Sequence, residues 1–420
     1  MDWNVNFSHM LDEATELMRT GNLVDATEAI QRALTGQSPL TQAKAKAKAK
    51  ASPQHQAPAA AGPVERRRAK RPVVHLHANL DVQDAVVKER AAPAPTPAFT
   101  RPAPAPAAAP AGHANAEQPG SFERVAFVHA GARHQYRLYV PPGAAAGTAM
   151  PLVLMLHGCT QNAEDFATGT GMNLAAAPAN ALVLYAAQSR SANPNGCWNW
   201  FEPENQQRGT GEPALLVAMV RDVMARHPVD ALRVYAAGLS AGGAMAALLG
   251  REYPDVFAAV GVHSGLQAGA ANNMMAALSA MNNGAKLAGL PRHPPRPAGA
   301  PTPALIVFHG DADTTVHAKN GEQLVDAALQ AVIGGSANVQ RETVQGQSHA
   351  GQRFTRTLYR PAHATPGADS AAAVLAEHWV LHSAGHAWSG GDARGSHTDA
   401  RGVSATDEML RFFLAHSRAH

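Results

Sequence analysis

The stretch "YAAGLSAGGAM" (residues 235–245) restricts the chain more than any other segment. An apolar, β-prone run, "ALRVYAAG", leads into it, and "GGAMAALLGREYP" continues from it with helical character. Ser240 therefore falls on a strand-to-helix turn between Gly238 and Gly242. A turn this sharp leaves room only for small neighbours and pushes the serine out above the sheet, which is the geometry of a nucleophile elbow. The rival reading is a chance G-x-S-x-G in a Gly- and Ala-rich chain. The two readings separate on what the other strand ends carry.

Strand-like apolar runs recur from residue 121 onward. "FERVAFVHA" and "HQYRLYVPP" alternate like a two-stranded hairpin, and six buried-type runs follow: "PLVLMLHG", "ALVLYAA", "RVYAAG", "AAVGVHSG", "PALIVFHG" and "EHWVLHSAGH". Helix-compatible stretches such as "GEPALLVAMVRDVMARHP" and "NGEQLVDAALQAVIG" lie between them, and "SATDEMLRFFLAHS" comes last. Strands alternating with helices predict an α/β fold, a mostly parallel sheet with helices on both faces, over residues 121–420.

The first 120 residues read differently. Phe7, Met10, Leu11, Ala14, Leu17 and Met18, then Leu23, Ala26, Ile30, Ala33 and Leu34, sit at helical spacing about a "GN" turn. They predict a helical hairpin over 1–36, too small to be stable without a partner for its apolar face. Residues 37–120 hold "AKAKAKAKA", "ERRRAKRP" and "APAPTPAFTRPAPAPAAAPAG". Such composition cannot bury enough apolar surface to offset its ordering entropy and predicts a disordered tether. Residues 41–90 carry eleven Lys/Arg against four Asp/Glu, a local balance of +7 within a chain of net charge +3. The basic character thus belongs to the tether, which reads as a solubilising linker, with contact to nucleic acid or another polyanion as the alternative; no nucleic-acid partner is required. No run approaches the roughly 18 apolar residues of a membrane span. The opening "MDWNVNFSHMLDEATELMRTG" lacks the basic-then-apolar layout of a secretory signal.

In an open parallel sheet, functional groups gather beyond the carboxyl ends of the strands. A serine nucleophile needs a base there, and the base needs an orienting carboxylate, in the chain order Ser, acid, His for this type of elbow. "HGDADTTV" follows "PALIVF" and offers Asp311 and Asp313; the H-G-x-x-D-x-x-V spacing selects Asp313 and leaves Asp311 to the turn. "AGHAWSGG" follows the last strand and supplies His386. With all three present in order, the elbow reading prevails over chance. Activity is expected to fall as His386 takes up a proton.

The Ala241 N–H, at the start of the following helix, is the expected first donor to an oxyanion. The second is expected from Cys159 in "HGCTQN", on the loop after "PLVLMLHG". Cys159 and Cys197 are the only cysteines, and they form either one bridge or none. Trp198 and Trp200 lie in the polar, turn-rich "NPNGCWNWFEP", and Trp388 lies beside His386. All three are read as lining a substrate cleft, where flat apolar rings suit a polyester or an aromatic acyl group. No cysteine–histidine set with zinc spacing and no phosphate-binding glycine loop occurs, so no metal and no cofactor is implied.

The segments "LMLHGCTQNAEDFATGTGMN", "SRSANPNGCWNWFEPENQQRGTGE", "VYAAGLSAGGAMAALL", "VFHGDADTTVHAKNG" and "HSAGHAWSGG" together resemble the type 1 catalytic domain of poly(3-hydroxybutyrate) depolymerases. The resemblance implies an α/β-hydrolase fold, a Ser240–Asp313–His386 triad, a Cys159–Cys197 disulfide, and hydrolysis of short-chain polyhydroxyalkanoate esters. It also implies a partner in the polyester itself, as a small ester or as a granule surface. Feruloyl and acetylxylan esterases are similar to this family and supply the alternative substrate class. A granule-surface scaffold, built on the hairpin and tether, is the non-enzymatic alternative. For location, the resemblance points to the extracellular side. The N-terminus, without a visible signal, points to a cytoplasmic, granule-associated enzyme.

Overall fold

The computed structural model describes residues 120–286, 302–333, 339–362 and 374–418. The hairpin expected over 1–36 and all of the tether but its last residue lie outside them. Ten strands form one sheet, in the order β1-β2-β4-β3-β5-β6-β7-β10-β9-β8. In chain order these are β1 (Ser121–His129), β2 (Ala132–Val140), β3 (Met150–Leu156), β4 (Leu182–Ala186), β5 (Val229–Leu239), β6 (Ala259–His263), β7 (Ala304–Gly310), β8 (Val339–Gln347), β9 (Arg353–Pro361) and β10 (Ala376–Leu381). The six central strands, β4, β3, β5, β6, β7 and β10, are mutually parallel. Antiparallel pairs β1–β2 and β9–β8 extend the two edges. The short strands β11 (Trp388–Ser389) and β12 (Thr398–Asp399) pair with each other outside this sheet.

The central strands alternate between two cores because successive side chains point to opposite faces. Leu152, Leu154 and Leu156 of β3 and Val234 and Ala236 of β5 face one core. Val153, Met155, Tyr235, Ala237 and Leu239 face the other. Helices α1 (Ala163–Thr170), α2 (Met172–Ala176) and α7 (Ala405–Leu414) cover the second face. Helices α3 (Gly211–Arg226), α4 (Ala241–Glu252), α5 (Met274–Asn283) and α6 (Lys319–Ile333) cover the first. Asn162, Asn273 and Ser404 cap α1, α5 and α7 by accepting a backbone N–H three residues on. This is the expected α/β-hydrolase architecture, with crossover helices on both faces of a parallel centre.

The β8–β9 hairpin was not among the expected strands. Most of β8, "VQRETVQGQ", is exposed at the sheet edge, so it lacks the apolar run that marks the buried strands.

Candidate active site

Ser240 joins β5 to α4 with φ 57° and ψ −120°. A non-glycine residue at positive φ is strained, and such strain persists only where surroundings over-determine it. The surroundings here are backbone. The Ser240 N–H donates to the His263 carbonyl at 2.9 Å, and the Ser240 carbonyl accepts the Ala244 N–H at 2.9 Å to start the helix. A Cβ at Gly238 would stand 2.7 Å from the Leu156 carbonyl oxygen, and one at Gly242 2.6 Å from that of His157. Both glycines are therefore required for α4 to begin this close to the end of β3.

Asp313, in the loop after β7, is buried and fully bonded. Its Oδ1 accepts the Thr315 and Val316 N–H groups at 2.9 and 2.8 Å, and its Oδ2 accepts His386 Nδ1–H at 2.7 Å. Burial alone would push the Asp313 carboxyl up. The His386 hydrogen bond and charge, the Val316 N–H and His309 outweigh burial and hold it below the usual carboxylate range. His309, at the end of β7, donates Nε2–H to the Val316 carbonyl at 2.7 Å and so braces the same loop. With Nδ1 of His386 committed to Asp313, its Nε2 is left as the basic nitrogen.

The loops carrying Asp313 and His386 are tied to each other as well. Ala312 N–H donates to Ala384 O at 3.1 Å. Asp311 accepts from the Ser383 N–H at 2.6 Å and from His382 Nδ1 at 2.8 Å. Asp311 thus serves a turn, on the neighbouring strand end rather than on its own. No hydrogen bond joins Ser240 Oγ to His386 among the described residues. Contacts of this kind commonly tighten only when substrate binds.

A Cys159–Cys197 disulfide ties the loop after β3 to the 188–199 segment. His157 Nε2 accepts the Gln188 N–H at 3.1 Å, so its proton sits on Nδ1 and donates to Gly158 O at 2.8 Å. Gln161 accepts the Gly158 N–H at 2.9 Å and donates to Ser396 O at 2.9 Å, which reaches the loop beyond His386. Glu212 gathers Gln188 Nε2–H (2.6 Å), the Asn199 N–H (2.8 Å) and Asn199 Nδ2–H (2.8 Å). Burial pushes its carboxyl up despite these donors. The Cys159 and Ala241 N–H groups have no protein acceptor among the described residues, as free donors to an anion require. Ala241 adds the positive end of the α4 dipole.

The tryptophans correct the sequence reading. Trp198, Trp200 and Trp388 are only 1, 5 and 1% exposed, so they are core rings and not cleft walls. Trp198 lies 5.6 Å from the His157 ring, Trp200 lies edge-on to Phe201, and Trp388 lies edge-on to Phe166 while donating Nε1–H to Thr406. The polar residues around Trp198 and Trp200 in sequence bond to one another and to Glu212. Sequence reasoning also passed over His263, His309, Gln161 and Glu212, which anchor the loops. No group of three or more His, Cys, Asp or Glu arranged to hold a metal occurs among the described residues.

An elbow serine, an ionised acid bonded to a histidine, and two free backbone donors, all on loops at the carboxyl ends of parallel strands, define an α/β-hydrolase with a serine-hydrolase type of site. The family model described as Esterase PHB depolymerase matches residues 134–345, just over half of the chain, and the chain belongs to that family. Ser240 and Asp313 fall inside the match and His386 beyond it. Poly(3-hydroxyalkanoate) depolymerase C of Paucimonas lemoignei is 32% identical over 253 residues, which cover 59% of this chain and 57% of that protein. Feruloyl esterase B of Thermothelomyces thermophilus is 32% identical over 200 residues, 45% of this chain and 67% of that protein. The chain thus spans little more than half the length of the depolymerase. Among solved structures, an acetyl xylan esterase from Aspergillus awamori superposes with a TM-score of 0.49 at 18% identity, covering 70% of this chain and all of that one.

Proposed function

We propose that this chain is a serine carboxylic ester hydrolase acting on short-chain polyhydroxyalkanoate esters. The observation that carries the proposal is the 2.7 Å bond from His386 to buried, ionised Asp313, at the same sheet edge as a strained elbow serine. In the proposed cycle, Ser240 Oγ attacks the ester carbonyl while His386 Nε2 takes its proton. The tetrahedral oxyanion is held by the Cys159 and Ala241 N–H groups. Collapse breaks the ester C–O bond, His386 gives its proton to the leaving alcohol, and an acyl-enzyme remains. Water then enters by the same route in reverse and frees the acid. Asp313 stays ionised throughout and balances the imidazolium.

The polyester class is supported by family membership and by the Paucimonas lemoignei depolymerase. The feruloyl esterase, together with acetylxylan esterase A of Talaromyces purpureogenus at 26% identity, supports the second substrate class. The disulfide favours an oxidising compartment and hence the extracellular location. Among the described residues no helix is long and apolar enough to cross a membrane. The test is release of 3-hydroxybutyrate from amorphous poly(3-hydroxybutyrate) granules by the protein and by Ser240→Ala, beside ethyl ferulate at equal ester concentration. Release from granules that is lost in the variant supports the polyester. Ser240-dependent cleavage of ferulate alone moves the substrate to the second class. Inactivity on both leaves the scaffold reading.

A further inference from the structure

His263 is the last residue of β6 and stands in register between Leu239 of β5 and Phe308 of β7. Two bonds leave it in opposite directions. Its carbonyl accepts the N–H of Ser240 at 2.9 Å, and its ring Nε2 accepts the N–H of Ser389, three residues beyond His386, at 3.0 Å. A backbone N–H can only donate, so Nε2 carries no proton and the ring is the neutral Nδ1–H tautomer. That proton points to Ser264 Oγ at 3.2 Å. The ring is stacked between Trp388 (centroids 5.3 Å, planes 28° apart) and Phe308 (5.8 Å, 14°) and is fully buried.

We infer that His263 is a positioning residue that sets the separation between the nucleophile turn and the loop bearing the base. The inference rests on the triad reading above. Asp313 fixes only the orientation of the His386 ring. Beyond that ring, Trp388 and Gly390 are bonded to the 397–399 segment, and Ser389 N–H is bonded to His263, whose own carbonyl holds Ser240, so a single residue references both reacting groups to one strand end. Phenylalanine and glutamine each meet only part of these demands. Phenylalanine would keep the stack but leave the Ser389 N–H buried without an acceptor. Glutamine offers an acceptor but no ring. Burial, with His309 and His386 nearby, pushes the imidazole down to about 3 against the opposing charge of Asp313, so the acceptor persists through neutral pH.

The test compares His263→Phe, His263→Gln and Ser264→Ala with the parent protein. Three quantities are read: kcat and KM on a soluble short-chain ester, the rate of Ser240 modification by a fluorophosphonate, and the melting temperature. The expected result for His263→Phe is a loss of about 10- to 100-fold in both kcat and labelling rate, with KM within about threefold. A loss of that size is about 1.4–2.7 kcal/mol of barrier. His263→Gln should recover part of the loss. Ser264→Ala leaves the stack intact and should lose several-fold in kcat with little change in melting. Should His263→Phe fail to fold, Ser264→Ala decides: several-fold lower kcat supports the inference, and unchanged kcat overturns it. Values of kcat within twofold of parent in folded His263→Phe also overturn it. A parent protein that neither hydrolyses ester nor labels at Ser240 removes the triad reading, and this inference with it.

Discussion

Four of the buried histidines, His157, His263, His309 and His378, make the fold sensitive to mild acid in a way that can be sized. Desolvation pushes all four imidazoles down, His263 to about 3 and His378 to about 4. In the unfolded chain each titrates near 6.5. Below that value the unfolded state binds protons that the folded state refuses, so stability falls as pH falls. The loss begins near 6.5 and ends for each residue at its folded value. Each proton is worth about 1.4 kcal/mol per pH unit, so His263 and His378 together give a slope of about 3 kcal/mol per unit between pH 6 and 4.5. His157 and His309 steepen it. Glu212, whose carboxyl is raised by burial, acts with the opposite sign and offsets about one proton at most. Over that interval the two remove about 4–5 kcal/mol, close to the low end of a typical total of about 5–15 kcal/mol. Urea unfolding at half-unit steps from pH 7 to 4.5 measures the slope, and His378→Phe should flatten it by about one proton. A stability that stays level over that range would refute the burial argument.

Two further outcomes follow from the site. Gly242→Ala places a methyl group against the Leu156 and His157 carbonyls, a backbone clash that no rotamer relieves. About 1–3 kcal/mol of stability should be lost, and kcat should fall further because α4 and its Ala241 N–H must shift; urea midpoints and ester kinetics check both. Asp313→Asn removes the acceptor that fixes the His386 tautomer and should lower kcat by about 10⁴-fold with KM little changed, read in the same assay.

The residues legible in the sequence were those whose local chemistry is unambiguous. Central strands such as β3 and β7 are buried on both faces and read as unbroken apolar runs. The Ser240 turn announced itself through Gly238 and Gly242, because nothing larger fits. Asp313 and His386 were expected from chain order at strand ends, and they lie bonded to each other at 2.7 Å. The β8–β9 hairpin was missed because an exposed edge needs no apolar run. The tryptophans were misjudged because polar neighbours usually mean solvent, whereas here Asn193, Asn199, Gln188 and Glu212 satisfy one another and the rings are buried. His263 carries no signal of its own among 21 histidines; its role arises only when β5, β6 and the 386–389 loop meet in space.

Ser240 as the nucleophile is the central claim for this site. Its most direct test is to react the protein with a fluorophosphonate and map the adduct by peptide mass spectrometry, while following hydrolysis of a short-chain ester. One adduct per chain, on the peptide containing Ser240 and lost together with activity in Ser240→Ala, is the expected result. An adduct on another residue, or hydrolysis retained in Ser240→Ala, would contradict the account.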